Sequence, residues 1–205
     1  MGLSQGDTSH SQARAIAAWL PPVAVIGIAG TSELFGDAGR NALAFDRAGL
    51  AAGELWRLLS AHFVHLGVSH LLLNAAGLLL VWYLVSASFS NAQWLLVTLL
   101  VVAGVDAGLW FLEPQLVWYV GLSGLLHGLL AAGIVAGFRP GRIDLLVLGV
   151  LVAAKLVYEQ LVGPLPGSEQ SSGGAVIVAS HLYGAVTGVI AAMLIRIRAG
   201  RPAAI

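Results

Sequence analysis

The sequence predicts an all-α membrane protein, built as a single bundle of six transmembrane helices. Of its 205 residues, 58% are hydrophobic and only 10% are charged, whereas about a quarter of the residues in soluble domains are charged. The apolar residues are gathered in segments close to the ~20 residues that cross the hydrocarbon core of a bilayer. Most of these segments are joined by short connections, which favours one bundle over two domains.

Six segments are predicted to span the membrane. Their approximate ranges are 15–30, 68–87, 92–111, 118–138, 144–162 and 175–195. Residues 1–14 are predicted to form a short polar N-terminal tail, 15–198 the transmembrane domain and 199–205 a short C-terminal tail. The first segment is interrupted by Pro21 and Pro22, and it also fits a cleaved signal peptide. We prefer a retained span, because with six spans the arginines of the short loops and tails all fall on one side of the membrane.

The longest connection runs from Thr31 to Gly67 and carries seven charged side chains. A long loop without a core of its own is more often functional than idle. Its second half, 50–64, alternates apolar and polar residues around Trp56, which predicts short helical pieces in the membrane interface. A solvated connector without a function remains an alternative.

Arginines predict the orientation of the bundle. With six spans, the arginines of the short loops and tails all fall on one side: Arg14, Arg139, Arg142, Arg196, Arg198 and Arg201. Positive charge is enriched in cytoplasmic loops. The long first loop and the beginnings of the second, fourth and sixth spans are therefore predicted to face the cell exterior.

Charge and cysteine content exclude several classes of function. The ten basic and ten acidic side chains cancel, which removes any electrostatic argument for nucleic acid binding. The chain has no cysteine, so disulfides, thiol catalysis and thiolate metal sites are excluded. Any nucleophile must then be an oxygen or a nitrogen. We expect no metal and no cofactor.

Four polar side chains on three predicted spans fall at one shallow depth. At 1.5 Å per residue, Ser123 and His181 lie roughly 6 to 8 Å below the predicted outer ends of their spans, and His70 and Asn74 roughly 3 to 9 Å below theirs. Polar groups buried unpaired at that depth each cost a few kcal/mol. We therefore expect the four side chains to pair or to line a wet cavity.

Glycine spacing predicts that the fourth and sixth spans pack closely. Gly124 and Gly128 form one small-xxx-small pair, and Gly184 and Gly188 form another on the span that carries His181. Such pairs let the backbones of two helices approach each other. A direct hydrogen bond between Ser123 and His181 requires this approach.

The residue types at this depth point to nucleophilic catalysis. A serine hydroxyl needs a base to take its proton, and a neutral imidazole is the usual base near pH 7. We predict Ser123 as the nucleophile and His181 as its base. The oxyanion formed on attack needs fixed donors, for which we predict the backbone N–H of Ser123 with the side chains of His70 and Asn74. No acidic residue is obviously placed to orient His181, so the prediction is a dyad rather than a triad.

Together these motifs resemble the rhomboid intramembrane serine proteases. The matching residues are Glu54-Leu55-Trp56-Arg57, His65, His70-Leu71-Leu72-Leu73-Asn74, Gly121-Leu122-Ser123-Gly124 and His181-x-x-Gly184-x-x-x-Gly188. They cover most of the chain in the order of the family. The resemblance implies a rhomboid-like six-helix bundle, Ser123 and His181 as the catalytic pair, and His70 and Asn74 at the oxyanion site. It also implies cleavage of a membrane-anchored substrate near the outer surface.

A departure from the common rhomboid pattern resembles the rhombosortase branch. His127 stands four residues after the serine, where many rhomboids carry a tyrosine, and Lys155, Glu159 and Gln160 follow in the fifth span. This resemblance implies that the partners are transmembrane C-terminal tails of exported proteins, cut near a Gly-Gly motif at the outer face of a bacterial inner membrane. It leaves open whether water or an amine resolves the acyl-enzyme.

Several roles stay open at this stage. His127 either packs against His181 or takes part in proton transfer. Lys155 and Glu159, four residues apart, are expected to form an intramembrane ion pair, and Glu159 could also meet the substrate. We interpret His62 and His65 as hydrogen-bonded structural residues, and Gly121 and Gly124 as supports of the serine or contacts to the substrate.

The alternative functions are a general rhomboid protease, a non-catalytic relative that binds transmembrane segments, and a small transporter. The presence of both Ser123 and His181 argues against the second, and the absence of an inverted repeat argues against the third. The sequence does not predict the oligomeric state.

Overall fold

A computed structural model describes residues 17–199, which form a bundle of helices with one two-stranded sheet. The predicted tails, apart from Ala199, and the first residues of the first predicted span lie outside the described residues. The helices are α1 (Leu20–Glu33), α2 (Gly36–Leu43), α3 (Arg47–Ala51), α4 (Arg57–Ser60), α5 (Val68–Val85), α6 (Asn91–Phe111), α7 (Ser123–Gly137), α8 (Ile143–Leu161), α9 (Ser168–Ser172) and α10 (Val178–Ala199). The strands are β1 (Phe45–Asp46) and β2 (Trp118–Tyr119).

Within residues 17–199, three helical segments are long and apolar enough to cross a membrane: Val68–Ser88, which is α5 with a following 3-10 turn, Asn91–Phe111, which is α6, and Val178–Arg198 in α10. These helices make the chain an integral membrane protein. The other predicted spans correspond to helices that are shorter or more polar. Helix α1 has 14 residues, α7 has 15, and α8 carries Lys155 and Glu159 in its length of 19 residues. Six spans therefore stay a prediction.

The start of the fourth predicted span is wrong by five residues. Trp118 and Tyr119 are not the first turn of a helix but form β2, which pairs antiparallel with β1. The chain then turns at Gly121, whose φ of +117° favours glycine. Helix α7 therefore begins at Ser123, with the predicted nucleophile as its first residue.

The prolines in the first predicted span begin a helix instead of interrupting one. Pro21 and Pro22 lie in the first turn of α1, where the missing N–H of proline leaves no intrahelical bond unmade.

The long first connection consists of short helices held by two arginines, with short helices as predicted for its second half. Arg57 bonds to Glu54 at 2.5 Å and donates to the carbonyl oxygens of Asn41 and Ala44 at 2.8 and 2.9 Å. Arg47 donates to four carbonyl oxygens at and beyond the end of α6, those of Leu109, Trp110, Glu113 and Leu116. These bonds and the β1–β2 pair fix the connection against the segment that leads into α7.

Helices α7 and α10 pack backbone against backbone at the predicted glycine pairs. A Cβ atom on Gly184 would collide with the carbonyl oxygen of Gly124, and one on Gly188 would collide with that of Gly128. The beginnings of the two helices lie at one end of the bundle. Their ends meet at the other, where Arg196 donates to the carbonyl oxygen of Val135 at 2.8 Å.

Candidate active site

The predicted nucleophile and base lie within hydrogen-bond distance of each other. Ser123 Oγ is 3.0 Å from His181 Nε2, one at the start of α7 and the other in the first turn of α10. The glycine contacts between the two helices permit this approach, because Gly184 and Gly188 leave the backbone of α10 free to touch the carbonyl groups of Gly124 and Gly128. The geometry is that of a serine hydroxyl that can donate to an imidazole base.

A carboxylate completes the arrangement, although the sequence shows no acidic residue obviously placed to orient His181. Glu159 Oε2 lies 2.9 Å from His181 Nδ1, and Glu159 is only 3% exposed. The carboxylate accepts a hydrogen bond from the Nδ1–H group of His181. The lone pair of Nε2 then faces Ser123. The order of contacts, carboxylate to imidazole to hydroxyl, is that of a catalytic triad.

The expected ion pair in α8 is present and shares the same carboxylate oxygen. Lys155 Nζ is 2.7 Å from Glu159 Oε2, and it is also 3.5 Å from His181 Nδ1. The sequence placed Lys155 and Glu159 on one face of a helix. It did not show that this face is turned toward His181.

His127 stacks on the base. The ring centroids of His127 and His181 are 4.2 Å apart with 20° between the planes. His127 Nδ1 lies 2.7 Å from the carbonyl oxygen of Ser123, and because a carbonyl only accepts, Nδ1 is the donor. The ring is thus fixed between the backbone of the nucleophile and the face of the base.

The predicted oxyanion donors lie beside the serine. His70 Nδ1 accepts a hydrogen bond from the N–H of Leu66 at 3.3 Å, so in the neutral ring Nε2 carries the proton and is a donor. A Cβ atom on Gly121 would come within 2.8 Å of the His70 ring, so only glycine leaves room for it. Asn74 Nδ2 donates to the carbonyl oxygen of His70 at 3.1 Å and keeps a second N–H. The N–H groups in the first turn of α7 have no intrahelical acceptor.

A cavity of about 480 Å³ connects these groups. Its polar lining includes His70, Asn74, Ser123, His127, Lys155, Glu159 and His181. Residues 165–172, including α9, form a second wall, and Ser69 Oγ on α5 donates to the carbonyl oxygen of Ser171 in that wall. Gly124 instead faces Ser180 of α10, so its contribution is to helix packing.

His62 and His65, the two histidines of the first connection, are both fully buried but differ in their hydrogen bonds. His62 Nε2 lies 3.2 Å from Asp106 Oδ1, which accounts for the acidic residue inside α6. His65 has no hydrogen-bond partner on either ring nitrogen within residues 17–199, so the prediction of a hydrogen-bonded residue holds for His62 only. Burial, together with the neighbouring His70, lowers the pKa of His65 to about 3.

The donor atoms of His127, Glu159 and His181 lie within 4.8 Å of one another, close enough to suggest a metal site. Two observations argue against that use. The stacked rings cannot both point an in-plane lone pair at one ion, and Glu159 Oε2 already accepts from Lys155 and His181.

Comparison with known proteins places the chain in a family. The model of the Rhomboid domain matches residues 52–198. The chain belongs to the rhomboid family. The match extends from the first connection through α10 and contains every residue of the site described above.

Similar curated proteins add no assigned activity. An uncharacterized protein of Mycobacterium bovis and two of Mycobacterium tuberculosis are each 31% identical to this rhomboid over 153 residues. The aligned region is 71% of this chain and 61% of each relative. The chain thus spans about three fifths of the length of the curated relatives it matches.

Proposed function

We propose that this rhomboid is an intramembrane serine endopeptidase with Ser123 as the nucleophile. The observation that carries the proposal is the continuous line of contacts from Glu159 through His181 to Ser123, at 2.9 and 3.0 Å. A structural serine in a glycine-rich helix does not require such a line. Three helices deliver these groups to one cavity together with hydrogen-bond donors.

In the acylation step, Ser123 Oγ attacks the carbonyl carbon of the scissile peptide bond while His181 Nε2 takes the hydroxyl proton. The negative charge that develops on the carbonyl oxygen is stabilised by N–H groups of His70, Asn74 and the start of α7. The intermediate then collapses, the C–N bond breaks, and the leaving amine takes the proton from His181. Glu159 stabilises the imidazolium between the two transfers.

The acyl-enzyme that remains is an ester of Ser123. Water, or an amine, attacks its carbonyl carbon, and His181 takes a proton from the nucleophile and returns it to Ser123 Oγ. With water the product is a free carboxylate, and with an amine it is a new amide. The same residues serve either nucleophile.

The substrate we propose is the transmembrane C-terminal tail of an exported protein, cut near a Gly-Gly motif. The support is the resemblance of Gly121-Leu122-Ser123-Gly124-x-x-His127-Gly128 and Lys155-x-x-x-Glu159 to the rhombosortase branch. The chemistry agrees, because a peptide bond in an intact transmembrane helix is shielded by backbone hydrogen bonds, and glycine eases local unwinding.

We propose the bacterial inner membrane as the location, with the active site toward the periplasm. Arg196 and Arg198 in the last turn of α10, with Arg139 and Arg142 between α7 and α8, support this orientation, because they lie at the end of the bundle opposite Ser123. Membrane lipid surrounds the bundle in this assignment.

The test of catalysis is labelling with a serine-directed fluorophosphonate, combined with processing of a co-expressed tail protein. Ser123→Ala should lose both signals while the protein stays folded. Ser86→Ala, at the opposite end of α5, is the matched control and should keep both. Processing that continues in Ser123→Ala would exclude the proposal, and binding of the tail without labelling of the unsubstituted protein would identify a non-catalytic binder.

The test of specificity replaces the two glycines of the tail protein by leucines. We expect cleavage in membranes to stop, and mass spectrometry of the unsubstituted product to show the cut near the glycines and any group added. Equal cleavage of both tails would identify a general rhomboid protease.

A further inference from the structure

One carboxylate oxygen in the site accepts hydrogen bonds from two groups. One of them is an ammonium, and the other is an imidazole that becomes a cation when it binds a second proton. Glu159 Oε2 lies 2.7 Å from Lys155 Nζ and 2.9 Å from His181 Nδ1. Lys155 Nζ is itself 3.5 Å from His181 Nδ1. Glu159 is almost completely buried, whereas 28% of the Lys155 side chain is exposed toward the cavity. The ammonium therefore lies beside both the acid and the base.

The charges of Lys155, Glu159 and His181 affect whether His181 can act as a base. A buried carboxylate next to an imidazole favours the imidazolium, because opposite charges attract strongly where little water screens them. An imidazolium cannot take a proton from Ser123. An ammonium at 3.5 Å acts in the opposite direction on the same ring.

We propose that Lys155 is a positioning residue that holds Glu159 and neutralises its charge, so that His181 rests as the uncharged base. This inference rests on the proposed function. With Lys155 protonated, Glu159 ionised and His181 neutral, the net charge of the trio is zero. Glu159 can then orient His181 without keeping it permanently protonated.

Two other titratable groups face His181: His127, stacked on it from α7, and His70, across the cavity on α5. Both residues are present in every variant of Lys155 and Glu159. Differences in pH dependence among those variants therefore report the charges on α8.

The experiment measures the rate of fluorophosphonate labelling of Ser123 against pH. For Lys155→Met, we expect the acid side of the profile to move up by about one to two pH units, with labelling recovered at high pH. Lys155→Arg keeps the charge and should stay near the unsubstituted profile. Glu159→Gln leaves the ammonium unopposed, so the acid side should move down while the plateau rate falls.

The double variant Lys155→Met, Glu159→Gln removes both charges and should return the acid side close to its original position. Opposite movements of the two single variants, cancelling in the double variant, support the proposal. Loss of rate at every pH without movement of the profile would overturn it, as would movement of both single variants in the same direction. If the unsubstituted protein is not labelled at Ser123, the proposed function fails as well, and the two failures are thereby distinguished.

Discussion

Two parts of the bundle hold the groups of the proposed active site in different ways. Helices α7 and α10 meet through glycines, and α7 buries eight of its residues. Helix α8 buries only Leu145, Leu156 and Glu159, and an apolar cavity of about 380 Å³ is lined by residues of α7, α8 and α10. The first pair is held by close backbone contact, whereas α8 reaches the site through a carboxylate and an ammonium.

The difference has consequences for substitutions. Close packing leaves no room for an added atom, so errors between α7 and α10 should cost both stability and activity. A helix held by polar contacts at one end should tolerate changes elsewhere along its length. Substitutions along the rest of α8 should therefore have little effect on stability, whereas loss of Glu159 should reduce activity.

The largest effect is expected from adding one methyl group between α7 and α10. In Gly184→Ala the new Cβ meets the backbone carbonyl of Gly124, which no rotamer change can move. We expect a loss of about 3 kcal/mol or more in the free energy of unfolding and loss of labelling at Ser123. Unfolding in mixed detergent micelles measures the change in the free energy of unfolding.

Gly149→Ala is the matched control on α8. Its Cβ would lie 3.5 Å from Ile134 Cγ2, an ordinary contact, and alanine is favoured over glycine inside a helix by up to about 1 kcal/mol. We expect unchanged or slightly raised stability. Equal losses in the two variants would remove the distinction between the two parts of the bundle.

The next largest effect is expected from Glu159→Gln. Without the carboxylate, His181 loses the group that fixes its tautomer and stabilises its imidazolium. The labelling rate at neutral pH should fall by about 10² to 10⁴, as replacement of a triad acid by its amide does elsewhere. The unfolding midpoint should stay close to that of the unsubstituted protein. A large fall in stability would show that Glu159 is instead needed to hold α8 in the bundle.

Much of the fold follows from the sequence because apolar length and glycine spacing are local signals. The limits of α5, α6 and α8 lie within one or two residues of the predicted spans. The start of α7 was mispredicted because it depends on Phe45 and Asp46, over seventy residues away, which take Trp118 and Tyr119 into a sheet. A short strand pair of this kind leaves no periodic signal in an apolar sequence.

The site was predicted to a similar degree. Ser123, His181, His70 and Asn74 were predicted to lie together because their depths agree, and depth is countable along a helix; they line one cavity. The contact of Glu159 with His181 was missed because Lys155, four residues earlier, explained the carboxylate locally. Depth does not give rotation about the helix axis, and rotation decides whether Glu159 faces lipid, substrate or the base.

A smaller effect, dependent on pH, is expected in the packed part of the molecule. The pKa of His65 is lowered to about 3 by burial, so the unfolded chain binds a proton there more readily than the folded one. The contribution of His65 to the free energy of unfolding is complete above about pH 6.5, the pKa of histidine in the unfolded chain. It is lost as the pH falls toward 3, by about 2 kcal/mol at pH 5. Comparing unfolding at pH 7.5 and 5 measures this.

His65→Leu removes the proton-binding group from the comparison and should lose less stability between the two pH values. If both proteins lose the same amount, the acid sensitivity arises elsewhere in the chain.

The smallest effect is expected where α8 lines its apolar cavity. Ala153→Leu adds apolar atoms to a space of about 380 Å³, so we expect stability to change by less than about 1 kcal/mol and labelling to stay within about twofold. Ala132→Leu makes the same change at a fully buried position of α7, where overpacking costs about 1 to 3 kcal/mol. Thermal unfolding of the two variants under the same conditions compares their losses of stability. If Ala153→Leu destabilises as much as Ala132→Leu, α8 is packed as closely as α7, and its catalytic carboxylate would be held by packing as well as by charge.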